Sequence, residues 1–104
     1  MPALIVRDAA RQDVDEIFWR ISADDFAAAL RVFDAIEAAF KLLSETPGAG
    51  PTCEFSEPDL SDIRFWPVKR YRNYIVIYRP ITDGVEVIRV IHAATDLLRL
   101  SRRL

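Results

Sequence analysis

Two hydrophobic periodicities divide this chain. Between residues 9 and 43 apolar side chains recur at helical spacing, and between 64 and 92 they run or alternate as strands do. Val14, Ile17, Phe18 and Ile21 line one face of the first helical stretch, while Asp13, Asp15, Glu16 and Arg20 fill the other. The spacing predicts a helix over residues 9–21 with Asp8 as its N-cap. Trp19 falls beside the stripe and is expected to cover its edge. Residues 22–25 break the pattern and offer new caps. Phe26, Ala29, Phe33, Ile36, Phe40 and Leu43 then follow at steps of 3, 4, 3, 4 and 3, which predicts a second helix packed against the first as a hairpin. A phenylalanine stripe can also serve as a cofactor box, but this spacing is that of a buried helix face.

The rest reads as strands. Residues 3–7, apolar up to Val6 with β-branched Ile5 and Val6, predict a short opening strand. Thr46-Pro47-Gly48-Ala49-Gly50-Pro51 stops the second helix, with glycines expected to supply unusual φ values. Residues 53–62 are polar and acidic and read as an irregular surface connection. Strands are predicted over residues 64–68, 74–79 and 85–92. Every residue from 74 to 78 is β-branched or aromatic, as in a central strand buried on both faces. Pro67 marks an edge or a bulge. Asp83-Gly84 signals a hairpin. Strict alternation would place Val85, Val87, Arg89 and Ile91 on one face of the last strand, and Glu86, Ile88, Val90 and His92 on the other. Residues 96–104 suggest a short basic tail helix anchored by Leu97, Leu98 and Leu100. The fold class is α+β, in the order β-α-α-β-β-β(-α): a helical hairpin on one face of a small, mostly antiparallel twisted sheet. Residues 1–104 read as a single domain.

Composition adds a packed core and a charge asymmetry. With 51% hydrophobic residues the chain is suited to a globule, and 104 residues bury roughly 65% of the unfolded surface. Cys53 is alone, which precludes an internal disulfide and fits a small buried hydrophobe. No stretch approaches the ~20 apolar residues of a membrane span, and no signal segment is visible, so a cytoplasmic protein is expected. Residues 1–62 carry 13 Asp/Glu against 5 Lys/Arg, and residues 63–104 carry 3 against 9, balances of −8 and +6. A basic half of this kind predicts a binding face.

The chemistry on offer is limited. The glycines are Gly48, Gly50 and Gly84, with no phosphate loop among them. One histidine and one cysteine give no metal spacing, and no cofactor is expected. Ser61, His92 and Asp96 formally permit a triad, but no nucleophile motif surrounds any serine. Arginine, lysine, tyrosine and His92 remain. They suit phosphate binding, metal-free RNA cleavage or a protein-binding surface, and composition does not separate these. The candidate contacts are Arg64, Trp66, Arg79, Arg89, His92, Arg99 and Arg102. Competing structural roles are arginine pairing with Glu54, Glu57 or Glu86, and a hydrogen bond from His92 at the strand end. Trp66, beside Pro67, is expected at an interface more than Trp19, and Tyr74 and Tyr78 share one face as core.

These residues carry a resemblance to the ParE branch of the ParE/RelE toxin superfamily. The quoted elements are the acidic helix pair, Pro47-Gly48-Ala49-Gly50, Ile63-Arg64, Tyr74-Ile75-Val76-Ile77-Tyr78-Arg79 and the run from Asp83-Gly84 to His92 with Asp96. The ordered set covers nearly the whole chain. It implies the toxin of a type II toxin–antitoxin module, with roles in plasmid stabilisation or stress response. Its partner would be a cognate ParD-like or related antitoxin, in a hetero-oligomer that reaches DNA only through the antitoxin. ParE-like members are understood to inhibit DNA gyrase; RelE-like members cleave ribosome-bound messenger RNA. RelE-like toxins hold arginine after the first tyrosine of the Y-x-x-x-Y strand, where this chain has Ile75. Relatives with a terminal His-Tyr pair have tyrosine where Ala93 follows His92. The resemblance therefore implies a gyrase-directed binder with no catalytic residues. The alternatives are a ribosome-dependent endonuclease, or a fold kept only for antitoxin binding or autoregulation. Many ParE relatives read His-Gly-x-Arg-Asp where this chain has His92-Ala93-Ala94-Thr95-Asp96, so Ala93 and Thr95 replace a glycine and an arginine.

Overall fold

The computed structural model describes residues 2–52 and 62–93. In chain order the elements are β1 (Ala3–Val6), α1 (Asp8–Ser22), α2 (Phe26–Glu45), β2 (Arg64–Val68), β3 (Tyr71–Ile81) and β4 (Gly84–His92). The sheet order is β1-β4-β3-β2. β1 pairs parallel with β4, and the other two pairings are antiparallel. This is the expected α+β architecture; the predicted tail helix and most of the acidic connection lie outside the described residues. Among the described residues no helix is long and apolar enough to cross a membrane.

The helical hairpin covers one face of the sheet. Ala10, Val14 and Ile17 of α1 and Val32, Ile36, Phe40 and Leu43 of α2 meet Val68, Val76, Tyr78, Val85, Val87 and Val90, all buried. Burying a side chain of this size contributes about 1.5–3 kcal/mol, so this layer supplies much of the driving force. Arg11 ties the two helices together: its Nη1 lies 2.6 Å from Glu37 and its guanidinium sits over the Phe40 ring. Asp25 caps α2 by accepting from the Ala28 N–H at 3.0 Å. The N-cap of α1 is Arg7, extended and without a side-chain cap, so Asp8 is the first helical residue and not the expected cap. There its negative charge still favours the helix N-terminus.

Two aromatic residues sit outside this core. Phe26 begins the predicted stripe but is 59% exposed, and Trp19 is 68% exposed instead of sealing the core edge. Both stand at the α1–α2 turn, where they meet Phe18 edge-on.

β4 departs from simple alternation. Its pairing with β3 shifts between Ile77 and Tyr78: Ile77 faces Arg89 and Tyr78 faces Val87, so Ile88 is an extra residue. Past the bulge, Val90 joins Val85 and Val87 in the main core, and Ile91 joins Ile88, Ile63 and Ile77 in a second apolar cluster. The bulge thus overturns the face assignment expected from strict period 2, because one inserted residue inverts every side chain after it.

The glycines matter for space, since among the described residues none has a positive φ. The β3–β4 turn consists of Thr82 and Asp83, with Asp83 in the left-handed region at φ 63°, while Gly84 already pairs with Ala3 in the sheet. A Cβ at Gly84 would lie 1.8 Å from the Ala3 carbonyl oxygen. At Gly50 it would lie 2.4 Å from the Phe65 oxygen and 2.7 Å from the Tyr78 hydroxyl. That hydroxyl accepts from the Gly50 N–H at 2.8 Å and donates to the Pro47 carbonyl at 3.2 Å, pinning the post-helix loop onto the sheet. Burial raises the Tyr78 pKa, which keeps the phenol neutral.

Gly84→Ala should displace β1 and cost about 2–3 kcal/mol in urea unfolding, with faster hydrogen exchange at the Ala3 amide. An unchanged midpoint would contradict the close approach. Tyr78→Phe leaves the buried Gly50 N–H without its acceptor and should cost about 1–3 kcal/mol in the same assay.

Candidate protein-binding groove

Next to the core stripe, α2 carries a second one. Ala35, Ala38, Ala39 and Leu42 follow it at i, i+3, i+4 and i+7 and form the floor of a groove. The small alanines leave room against β2, whose half-buried Trp66 forms the opposite wall and packs on the main core. β2 is an edge strand, and its register with β3 breaks between Pro67 and Val68, as expected for a proline that cannot donate. The chain then reverses through Lys69 and Arg70, which set two exposed cations at the mouth of the groove. Arg70 is in the left-handed region at φ 73°, where a β-carbon costs about 1–2 kcal/mol. Leu42 is 42% exposed along the floor. The groove therefore offers apolar surface under a cationic rim.

The predicted arginines are engaged within the protein. Arg64 Nη1 donates to the Gly50 carbonyl at 2.8 Å, and its Nε is buried 3.5 Å from Asp62. It braces the same loop that Tyr78 pins; Glu54 and Glu57, expected as possible partners of the strand arginines, lie outside the described residues. Arg79 Nε donates to Glu86 at 2.6 Å, and Arg7 reaches the other Glu86 oxygen at 2.8 Å. The Arg7 hydrogen bond, opposed by burial and reinforced by Arg79, holds the Glu86 carboxyl below the usual carboxylate range. Arg89 binds Asp13 of α1 in bidentate fashion at 2.7 and 2.9 Å, and Asp13 also accepts from the Val90 N–H at 3.0 Å. His92 packs edge-on against Tyr74 with ring centroids 5.4 Å apart. Arg99 and Arg102 lie outside the described residues.

Among the described residues the candidates are thus not gathered into one site. Arg64, Arg79 and Arg89 lie on three strands with three separate sets of partners, and of the described candidates only Trp66 lines the groove. Sequence reading passed over Lys69, Arg70 and the alanine–leucine stripe. Two signals were available: a two-residue reversal without glycine, asparagine or aspartate, and a second helical stripe beside the first. Ile75, at the position where nuclease relatives hold arginine, is half-buried against the second apolar cluster. Among the described residues no group of three or more His, Cys, Asp or Glu is placed to hold a metal.

Comparison with known proteins bears on this arrangement. No curated protein matches the chain. A solved structure described as the chromosomal ParDE TA system from P. aeruginosa superposes with a TM-score of 0.71 at 18% identity, over 88% of this chain and 96% of that one. At that identity the likeness establishes the fold. The family model described as the ParE toxin of the type II toxin-antitoxin system, parDE, matches residues 4–97. With that span matched, this chain belongs to the ParE toxin family.

Proposed function

We propose that this protein is a toxin neutralised by a small antitoxin that seats an acidic, amphipathic segment in the α2–β2 groove. The observation that carries the reading is the groove itself: an alanine–leucine floor and a tryptophan wall under the Lys69–Arg70 rim. Apolar side chains of an incoming helix would cover Leu42 and Trp66, and its carboxylates would meet the two cations. The left-handed Arg70 supports it. Glycine would suit that backbone, so an arginine there is consistent with a selected charge.

Released from its antitoxin, the protein acts by binding and inhibiting DNA gyrase. Metal-free RNA cleavage needs a base and unengaged cations around the scissile phosphate. Here Arg64, Arg79 and Arg89 are held by carbonyls and carboxylates, and Ile75 is packed in an apolar cluster. That disposition supports a binder over a nuclease.

Arg70→Gly should stabilise the protein by about 1 kcal/mol in urea unfolding by relieving the left-handed strain. Combined with Lys69→Glu, it should weaken antitoxin binding by about tenfold or more in calorimetry. Full affinity in the double variant would place the antitoxin elsewhere. For the target, purified protein is assayed for gyrase supercoiling beside primer extension on translated RNA. Loss of supercoiling without new RNA ends is expected; codon-phased RNA ends would establish the endonuclease instead. Silence in both assays with tight antitoxin binding would leave the autoregulatory role.

A further inference from the structure

A second apolar surface of opposite electrostatic character lies at the α1–α2 turn. Trp19 is 68% exposed, Phe26 59% and Leu30 43%. Phe26 and Leu30 are one helical turn apart and share a face. Side chains of this size left in water forgo the gain of burial, and three at one end of the hairpin form a patch that a monomer rarely keeps without use. The patch is also rigid. Phe18 sits at its centre and meets Trp19, Phe26 and Phe33 edge-on, with centroids 5.3, 5.8 and 6.2 Å apart. Phe33 in turn packs on the main core. Aromatic side chains held in this way are ready anchors, because little rotamer freedom remains to be lost on binding.

The surrounding charge selects among occupants. Residues 15–34 carry Asp15, Glu16, Asp24, Asp25 and Asp34 against Arg20 and Arg31 only. Apart from the Asp25 carboxylate, which accepts from the Ala28 N–H, none of these side chains makes an ion pair or hydrogen bond among the described residues. Nucleic acid and anionic lipid are repelled by such a rim. So is a second copy placed tip to tip, since it would bring two acidic rims together. An acidic antitoxin segment suited to the Lys69–Arg70 groove does not suit this patch either.

We propose that the tip of the α1–α2 hairpin is a second docking surface, for a cationic amphipathic segment of a partner protein. Apolar anchors of that segment cover Trp19, Phe26 and Leu30, and its lysines or arginines face the carboxylates.

The test uses a Trp66→Phe background, in which Trp19 is the remaining tryptophan. The probes are two synthetic helical peptides with the same leucine face, one with a lysine/arginine polar face and one with a glutamate face. The basic peptide should shift Trp19 emission to the blue, whereas the acidic peptide should not. Phe26→Ala with Leu30→Ser should weaken that binding by about tenfold or more while the circular dichroism stays unchanged. Raising salt from about 0.05 to about 0.5 M should weaken it as well. Equal response to both peptides would overturn the proposal, as would binding indifferent to the tip variants. A blue shift of the protein alone with rising concentration, abolished by the tip variants, would assign the patch to self-association instead.

Discussion

The fold turns on how β4 satisfies three neighbours at once. Its first half pairs with β1, its whole length pairs with β3, and its second half lies against α1. Pairing with β1 ends at Val87, so the Val90 N–H beyond it has no strand partner on that edge. Asp13 supplies the acceptor and receives Arg89 on the same carboxylate. The extra residue at Ile88 then sends Val90 to the helices and Ile91 to the second cluster. Without that bulge, a buried valine and a buried isoleucine would exchange layers. One helix carboxylate and one inserted residue therefore set the orientation of α1, the composition of both apolar layers and the place of Arg89.

This arrangement explains why a basic half need not be a basic active face. Of the strand arginines, Arg64 braces the loop after α2, Arg79 shares Glu86 with Arg7, and Arg89 binds Asp13. These pairs tie the strand arginines to carboxylates and carbonyls of neighbouring segments. The cations left at the surface in the described strand region include Lys69 and Arg70, beside an apolar groove. At the hairpin turn the balance is reversed, with exposed aromatics among carboxylates. Two apolar surfaces with rims of opposite sign suit two different partners better than one, because each rim disfavours the ligand of the other.

Much of the architecture was legible in the chain. Helical spacing from Val14 to Leu43, the β-branched run at 74–78 and the Asp83-Gly84 turn gave the element order and the core stripe of α2 from Ala29 onward. The misreadings share a cause: each extended a local pattern past the point where the tertiary fold stops supporting it. Phe26 and Trp19 continue their helical stripes, but at the turn both meet Phe18 and stay largely exposed. Asp8 has the chemistry of a cap, but β1 pairing runs the extended backbone up to Arg7. The candidate site fared less well, because an arginine reads the same in sequence whether it faces solvent or a carboxylate 76 residues away, as Arg89 does.

The sequence by itself determined the periods, and with them which segments are helices and which are strands. It also determined the family, through an ordered set of short motifs. Only the tertiary structure decided where the periods break and which charges remain outside. The bulge at Ile88, the close approach at Gly84, the pairing of Arg89 with Asp13 and the groove between α2 and β2 arise where distant segments meet. Local periodicity carries no information about such meetings, because steric fit and charge pairing act across space, while a sequence pattern reports only neighbours along the chain.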